Sequence, residues 1–290
     1  MVKKGWRPAM RTKKRQYTAV DLFAGAGLFS SAFQEERFQI TLAIEQNSIA
    51  ANTYAMNVGD HVVVDDVRSV RPTGKCDVLI SGPPCQGFST LGKRNPNDPR
   101  NSLSMCVATW AEALNPKIVV VENVPAFLGS IHWDKLKKRL ETLGYRTSTM
   151  VLNAVDYGLP QLRQRCFAFG SRIDLPTLPN PTQTKCMTVR EAWSDLAAKP
   201  TGLNGHVARE PSPLALARMK VIPAGGDKRD VMRAAPDLVP KSWWKINDQA
   251  TDVWGRMLWD EPCNTLRTCL LNASNTTALD QLTPAGRDFI

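Results

Sequence analysis

Short apolar runs alternate with amphipathic stretches through the first 170 residues of the chain. The runs at 17–23, 40–45, 61–64, 76–80 and 117–121 are rich in Val, Ile and Leu and too short for helices, so they predict buried strands. The stretches at 24–33, 48–57, 102–114 and 132–143 predict helices between them, and further strands follow at 146–152 and 166–170. Strands alternating with helices predict an α/β fold with a mainly parallel sheet. Past Ser171 the texture changes: Pro176, Pro179 and Pro181 crowd together and periodicity weakens. A boundary near 171–181 and a second, smaller, irregular and β-poor module are therefore expected. In that module Trp243, Trp244, Trp254 and Trp259 lie among Lys245, Arg256 and Arg267. Such a mixture suits nucleic-acid contact, and it equally suits a small core that needs large side chains.

Composition narrows the class. The 290 residues suffice for one large or two modest domains, and 43% hydrophobic with 22% charged residues is ordinary for a globular protein. No apolar run is long enough to span a bilayer and the first residues hold no signal-peptide core, so no membrane partner is expected. Seven scattered cysteines give neither a disulfide framework nor zinc-site spacing, which predicts a reducing cytoplasm and no metal. The formal charge of +10 points to a polyanion, most simply nucleic acid. Residues 1–16 add a basic tail, with Lys3, Lys4, Arg7, Arg11, Lys13, Lys14 and Arg15 and no acid.

Candidate chemistry sits where the predicted strands end. The run at 76–80 leads into Ser81-Gly82-Pro83-Pro84-Cys85-Gln86-Gly87-Phe88-Ser89. Two prolines stiffen the backbone and hold Cys85 at the mouth of the sheet, where α/β folds bind ligands. Cys85 reads as a nucleophile or, alternatively, as a small buried hydrophobe. The first strand runs into Gly25 and Gly27, which let a ligand approach the start of the next helix. The third glycine of a dinucleotide turn is absent, Ser30 standing in its place. Glu45, at the tip of the second strand, is placed to accept from both hydroxyls of a ribose or else to cap the helix at 48–57. Asp66 follows the third strand, where a carboxylate can hold an adenine amino group. The polar stretch 87–101 is long for a connection and reads as a lid. Glu122 ends the fifth strand, beside the one that leads to Cys85.

The ordered set Asp21-Leu22-Phe23-Ala24-Gly25-Ala26-Gly27, Gly82-Pro83-Pro84-Cys85-Gln86-Gly87-Phe88-Ser89, Glu122-Asn123-Val124 and Gln161-x-Arg163-x-Arg165 resembles the DNA (cytosine-5) methyltransferases, almost continuously over about 17–170. The resemblance implies a Rossmann-like class I S-adenosylmethionine-dependent methyltransferase sheet at 17–172 and a target-recognition region at 173–290. It implies that Cys85 attacks cytosine C6, that a protonated Glu122 serves N3, that Arg163 contacts the base carbonyl, and that Arg165 supports Glu122 or a phosphate. S-adenosylmethionine is the implied methyl donor. Phe23 would stack near its adenine, with the backbone of Ala24, Gly25, Gly27 and Leu28 near the methionine portion. Glu45 would hold the ribose and Asp66 the adenine amino group, with Pro84 and Leu103 lining the pocket. The target base would be flipped out of double-stranded DNA, with Gln86, Ser89, Arg100 and Gln161 contacting DNA. The implied role is a modification methyltransferase of a restriction-modification, phage or mobile-element system, nucleoid-associated in a prokaryotic or phage setting.

The family's chain continues through a Thr-x-Arg-Glu-x-Ala-Arg-x-Gln helix to a Gly-Asn-[Ala/Ser]-Val segment. Here Thr188-Val189-Arg190-Glu191-Ala192-Trp193 resembles instead the segment just after the catalytic domain, and residues 276–290 match nothing. One subunit of a split enzyme, or a truncated chain, is expected, with weak cofactor binding until a second polypeptide supplies the missing part. The alternatives are an RNA cytosine-5 methyltransferase and a catalytically impaired DNA-binding or regulatory subunit. A nicotinamide oxidoreductase would leave 83–85 and 122–124 without a role.

Overall fold

The computed structural model describes residues 16–84, 102–177, 180–181, 185–194, 211–246 and 251–265. Cys85, Gln86, Ser89 and Arg100, the lid at 87–101, residues 1–15 of the basic tail, Arg267 and residues 276–290 lie outside the described residues. The elements up to Ser171 are β1 (Tyr17–Leu22), α1 (Leu28–Glu35), β2 (Phe38–Glu45), α2 (Ser48–Asn57), β3 (Val62–Val64), β4 (Val78–Ser81), α3 (Ser104–Leu114), β5 (Ile118–Asn123), α4 (Ile131–Thr142), β6 (Arg146–Asn153), β7 (Gln161–Leu162) and β8 (Gln164–Ser171). Seven of these strands form one sheet in the order β3-β2-β1-β4-β5-β8-β6. β1 to β5 pair in parallel, and β8 runs antiparallel to both β5 and β6.

Both faces of the sheet are covered, which is why its central strands read as continuous apolar runs. Val20, Leu22, Leu79, Val119 and Val121 face Val107, Trp110 and Leu114 of α3 and Leu136 and Leu140 of α4. Ala19, Ile40, Ile80 and Val120 face the other way, against Phe29 and Phe33 of α1. Because β1 lies between β2 and β4, successive connections diverge at its carboxyl end and leave a crevice there. The glycine turn and Pro83-Pro84 both open onto that crevice.

Beyond Ser171 the described chain is mostly short helices: α5 (Val189–Ala192), α6 (Pro213–Val221), α7 (Lys228–Ala234) and α8 (Lys241–Ile246), then the two-residue strand β9 (Cys263–Asn264). Trp243 and Trp254 are buried with their rings 5.0 Å apart, and the Arg218 guanidinium lies over both. This pair builds a small core with Met219, Ile222 and Val231. Trp244 remains 53% exposed. β9 does not stay with these helices but pairs in parallel with β7, Gln161 opposite Cys263 and Leu162 opposite Asn264. No helix among the described residues is long and apolar enough to cross a membrane.

Candidate active site

Three strand ends converge on the crevice. Ser81 pairs with Val121, so the segments after β4 and β5 leave the sheet side by side. The Cβ position of Gly82 lies 3.9 Å from both Glu122 Oε2 and the Phe23 carbonyl, so the two tips and the turn after β1 come together at this residue. Asn123, 3% exposed, ties β5 to the proline pair: its Nδ2 donates to the Pro83 carbonyl at 3.2 Å and its Oδ1 accepts from Val124 N at 2.8 Å. Asn123 belonged to a recognisable motif, but its role in holding Pro83 is visible only once the strands are paired. The described chain ends here at Pro84, one residue short of Cys85.

Glu122 meets its cation across the sheet. β8 runs antiparallel to β5 and brings Arg165 back, so that Arg165 Nε lies 3.0 Å from Glu122 Oε1. Burial pushes the Glu122 carboxyl above its usual 4.5, against the opposing pull of Arg165 and Arg163. A carboxyl held this way can carry a proton at higher pH than an exposed one. Cys166, opposite Asn123 in the register, is a fully buried thiol pushed up to about 11 by burial; it donates to the Val124 carbonyl and plays a packing part. Arg163 N donates to Asn153 Oδ1 at 3.0 Å, and Gln161 lies in β7 just before it.

On the β1 side the backbone bends sharply. Phe23 takes a φ of 61°, unusual for a residue with a bulky side chain, and Gly25 and Gly27 have φ of 56° and 94°. A Cβ on Gly27 would meet Val58 Cγ2 at 2.5 Å, because α1 starts directly against α2; one on Gly25 would meet nothing within 4 Å. Gly25 therefore faces open space while Gly27 is locked by packing. Asn47 caps α2 with its side chain, so Glu45 is not the cap. The Glu45 carboxylate instead accepts from Gly25 N at 2.8 Å and Asn47 N at 2.7 Å, fastening the glycine turn to β2.

A cavity of about 190 Å³ lies beside this turn, lined by Phe23, Ile44, Glu45, Gln46, Asp65, Asp66, Val67, Gly82, Pro84 and Leu103. It brings together Phe23, Glu45, Asp66, Pro84 and Leu103 from the residues expected for the cofactor. Ala24, Gly25, Gly27 and Leu28 are outside its lining, and the Leu28 side chain is 88% exposed at the start of α1. Apolar walls with three carboxylates, Glu45, Asp65 and Asp66, suit an adenosine, which has a flat apolar ring and hydroxyl and amino donors. The Asp66 carboxylate is braced by Arg68 through Nε and Nη2 at 2.9 and 2.6 Å, and these bonds hold it near 2, well below the usual carboxylate range.

A buried polar chain behind the turn was not anticipated. Asp21, 1% exposed, accepts from Ser30 Oγ at 2.6 Å; Tyr54 Oη donates to Ser30 Oγ at 2.9 Å and lies 3.0 Å from His61 Nε2. Burial raises the Asp21 carboxyl to about 7, since Ser30 alone cannot replace its hydration. The only hint in the sequence is an acid inside an otherwise apolar strand.

The sequence model of the C-5 cytosine-specific DNA methylases matches residues 17–208. The chain belongs to that family. Among curated relatives, the type II methyltransferase M.DdeI of Desulfomicrobium norvegicum is 35% identical over 212 residues, covering 66% of this chain and 51% of the relative. M1.HphI of Haemophilus parahaemolyticus is 35% identical over 235 residues, covering 74% of this chain and 63% of its own. The chain thus spans about half to two thirds of the length of these relatives. Among solved structures, the Entamoeba histolytica methyltransferase EhMeth superposes with a TM-score of 0.57 at 21% identity, over 74% of this chain and 69% of that one. That likeness shows the fold: the sheet of this C5 methylase chain is a Rossmann-like methyltransferase sheet.

Proposed function

We propose that this chain transfers a methyl group to C5 of a cytosine flipped out of double-stranded DNA, as the modification enzyme of a type II restriction system. The observation that carries the reading is the Glu122–Arg165 pair at 3.0 Å, set beside the proline segment that leads to Cys85. In this reading residues 17–172 carry the chemistry and 173–290 contact the recognition sequence.

Cytosine C5 is a poor nucleophile until the ring is attacked elsewhere. The Cys85 thiolate adds to C6, and the electron pair of the C5–C6 double bond moves into the ring as Glu122 gives a proton to N3. C5 then carries the electron density that accepts a methyl group. Arg165 fixes the Glu122 carboxyl and keeps its proton-donating face in place, while Arg163 contacts the base carbonyl. Once C5 has been methylated, loss of its proton restores the double bond and expels the Cys85 thiolate, and N3 returns its proton to the Glu122 carboxylate. S-adenosylmethionine supplies the methyl group when bound, with Glu45 at the ribose, Asp66 at the adenine amino group and Phe23 against the ring. Gln86, Ser89, Arg100 and Gln161 hold the DNA around the extruded base.

The test uses duplexes in which target cytosines carry fluorine at C5. Methylation then leaves no C5 proton to remove, so the chain is expected to form a denaturation-stable adduct that Cys85→Ser abolishes. Full methyl transfer by Cys85→Ser, or transfer to tRNA with none to duplex DNA, overturns the reading.

A further inference from the structure

The peptide groups flanking Arg163 are held by bonds from two distant parts of the chain. Arg163 N donates to Asn153 Oδ1 and Ala154 N donates to the Arg163 carbonyl, each at 3.0 Å. The Leu162 carbonyl, on the same peptide bond as Arg163 N, accepts from Thr265 Oγ1 at 2.8 Å, 103 residues away in sequence. Cys263 N donates to the Pro160 carbonyl at 2.8 Å, just before β7. β7 is two residues long and Leu162 is 45% exposed, so little apolar burial holds it down. Its place depends on these hydrogen bonds.

The strap that carries Thr265 is anchored in the helices beyond Ser171. Trp254 lies in their core, and Arg256 exchanges backbone bonds with the loop before α7: Gly225 N to Arg256 O at 3.1 Å and Arg256 N to Gly226 O at 2.8 Å. Between its ends the strap is held to α5. The Trp259 and Glu261 carbonyls accept from Arg190 N and Val189 N at 2.8 and 2.9 Å, and Arg190 grips Asp260 with two bonds. Met257 and Cys263 are buried against Val189.

We propose that Thr265 is a positioning residue for Arg163, and that the strap 254–265 passes to it the placement of the recognition helices. The proposal rests on the reading of Arg163 as the residue at the cytosine carbonyl. A long side chain that must meet one oxygen needs its own backbone held within a fraction of an ångström. Two of the bonds that do this are local to the catalytic sheet, and the third reports on the strap.

The experiment measures the affinity of the full chain for duplexes with one unpaired cytosine and for duplexes with an abasic position at the same place, flanking pairs randomised. The wild type is expected to prefer cytosine, and Thr265→Val to lower that preference about two- to tenfold, the worth of one hydrogen bond. Affinity for the abasic duplex stays unchanged, and Thr265→Ser restores the preference. Arg163→Ala lowers it as well, and the double variant is no worse than Arg163→Ala alone, the mark of two residues acting through one contact. An additive double variant, or a wild-type preference in Thr265→Val, overturns the proposal. A wild type that does not distinguish cytosine from an abasic position overturns the role of Arg163 itself. The strap is then judged by amide exchange: Thr265→Val must speed exchange at Arg163 and Cys263 several-fold at an unchanged melting temperature. Unchanged exchange there overturns the positioning claim by itself.

Discussion

Asp21→Asn isolates the most strongly perturbed carboxyl in the described sheet. Asp21 is 1% exposed, and burial raises it from 3.8 to about 7 with a single hydroxyl partner at 2.6 Å. Between those two values the unfolded chain has released this proton and the folded chain keeps it. Unfolding free energy therefore falls as pH rises, by about 1.4 kcal/mol per pH unit, and the slope disappears above the folded value. Over the roughly three units involved, the cumulative loss at pH 8 is about 4 kcal/mol. His61, lowered by burial, contributes the opposite slope below about 6.5, but it is common to both proteins and cancels in their difference. Asparagine keeps the shape and an acceptor for Ser30 and carries no charge at any pH. Urea unfolding of both proteins from pH 5 to 8 is the assay. The variant should gain on the wild type steadily up to about pH 7 and hold its advantage beyond. Parallel stability curves across that range would refute the claim that Asp21 is folded as a neutral acid.

Glu122→Gln keeps the hydrogen-bonding shape but removes the proton, so single-turnover methyl transfer should fall about 100- to 10,000-fold. In the wild type the rate should decline as pH rises through the burial-raised value of Glu122, and this limb should be missing from the residual activity of the variant. Asn123→Ala frees the Pro83 carbonyl and Val124 N, which should cost about 1–3 kcal/mol in urea unfolding and slow adduct formation with 5-fluorocytosine DNA. An unaffected adduct rate would mean that the proline segment is positioned without Asn123. The two turn glycines should separate stability from binding. Gly27→Ala drives a methyl into Val58 and should lose stability first, whereas Gly25→Ala should cost about 1–2 kcal/mol of strain and weaken S-adenosylmethionine binding by calorimetry beyond that. Equal losses from both in both assays would show that the open side of Gly25 does not face the ligand.

The parallel sheet was legible in the sequence because its evidence is local. Buried strands such as Val78–Ser81 and Ile118–Asn123 announce themselves as short apolar runs, and the residues that end them are read off directly. Glu45, Asp66, Glu122 and the glycine turn could thus be named as a set before any strand was paired. Their geometry could not. Glu122 meets Arg165 only because β8 returns antiparallel to β5, and Asn123 reaches Pro83 only because β4 and β5 are neighbours. The tryptophans were undecided between a core and a nucleic-acid surface: burial put Trp243 and Trp254 inside and left Trp244 out. The burial-raised carboxyl of Asp21 and the return of Thr265 to Leu162 had no local signature at all. By itself the sequence determined the strands and helices of the main sheet, the family and the chemical types at the strand ends, since side-chain period and turn chemistry act over a few residues; β7 and the short helices beyond Ser171 were not among them. Which cation meets Glu122, which carboxyl burial raises and what holds Arg163 were decided by tertiary structure. Those properties depend on distance and burial, which only the packed chain defines.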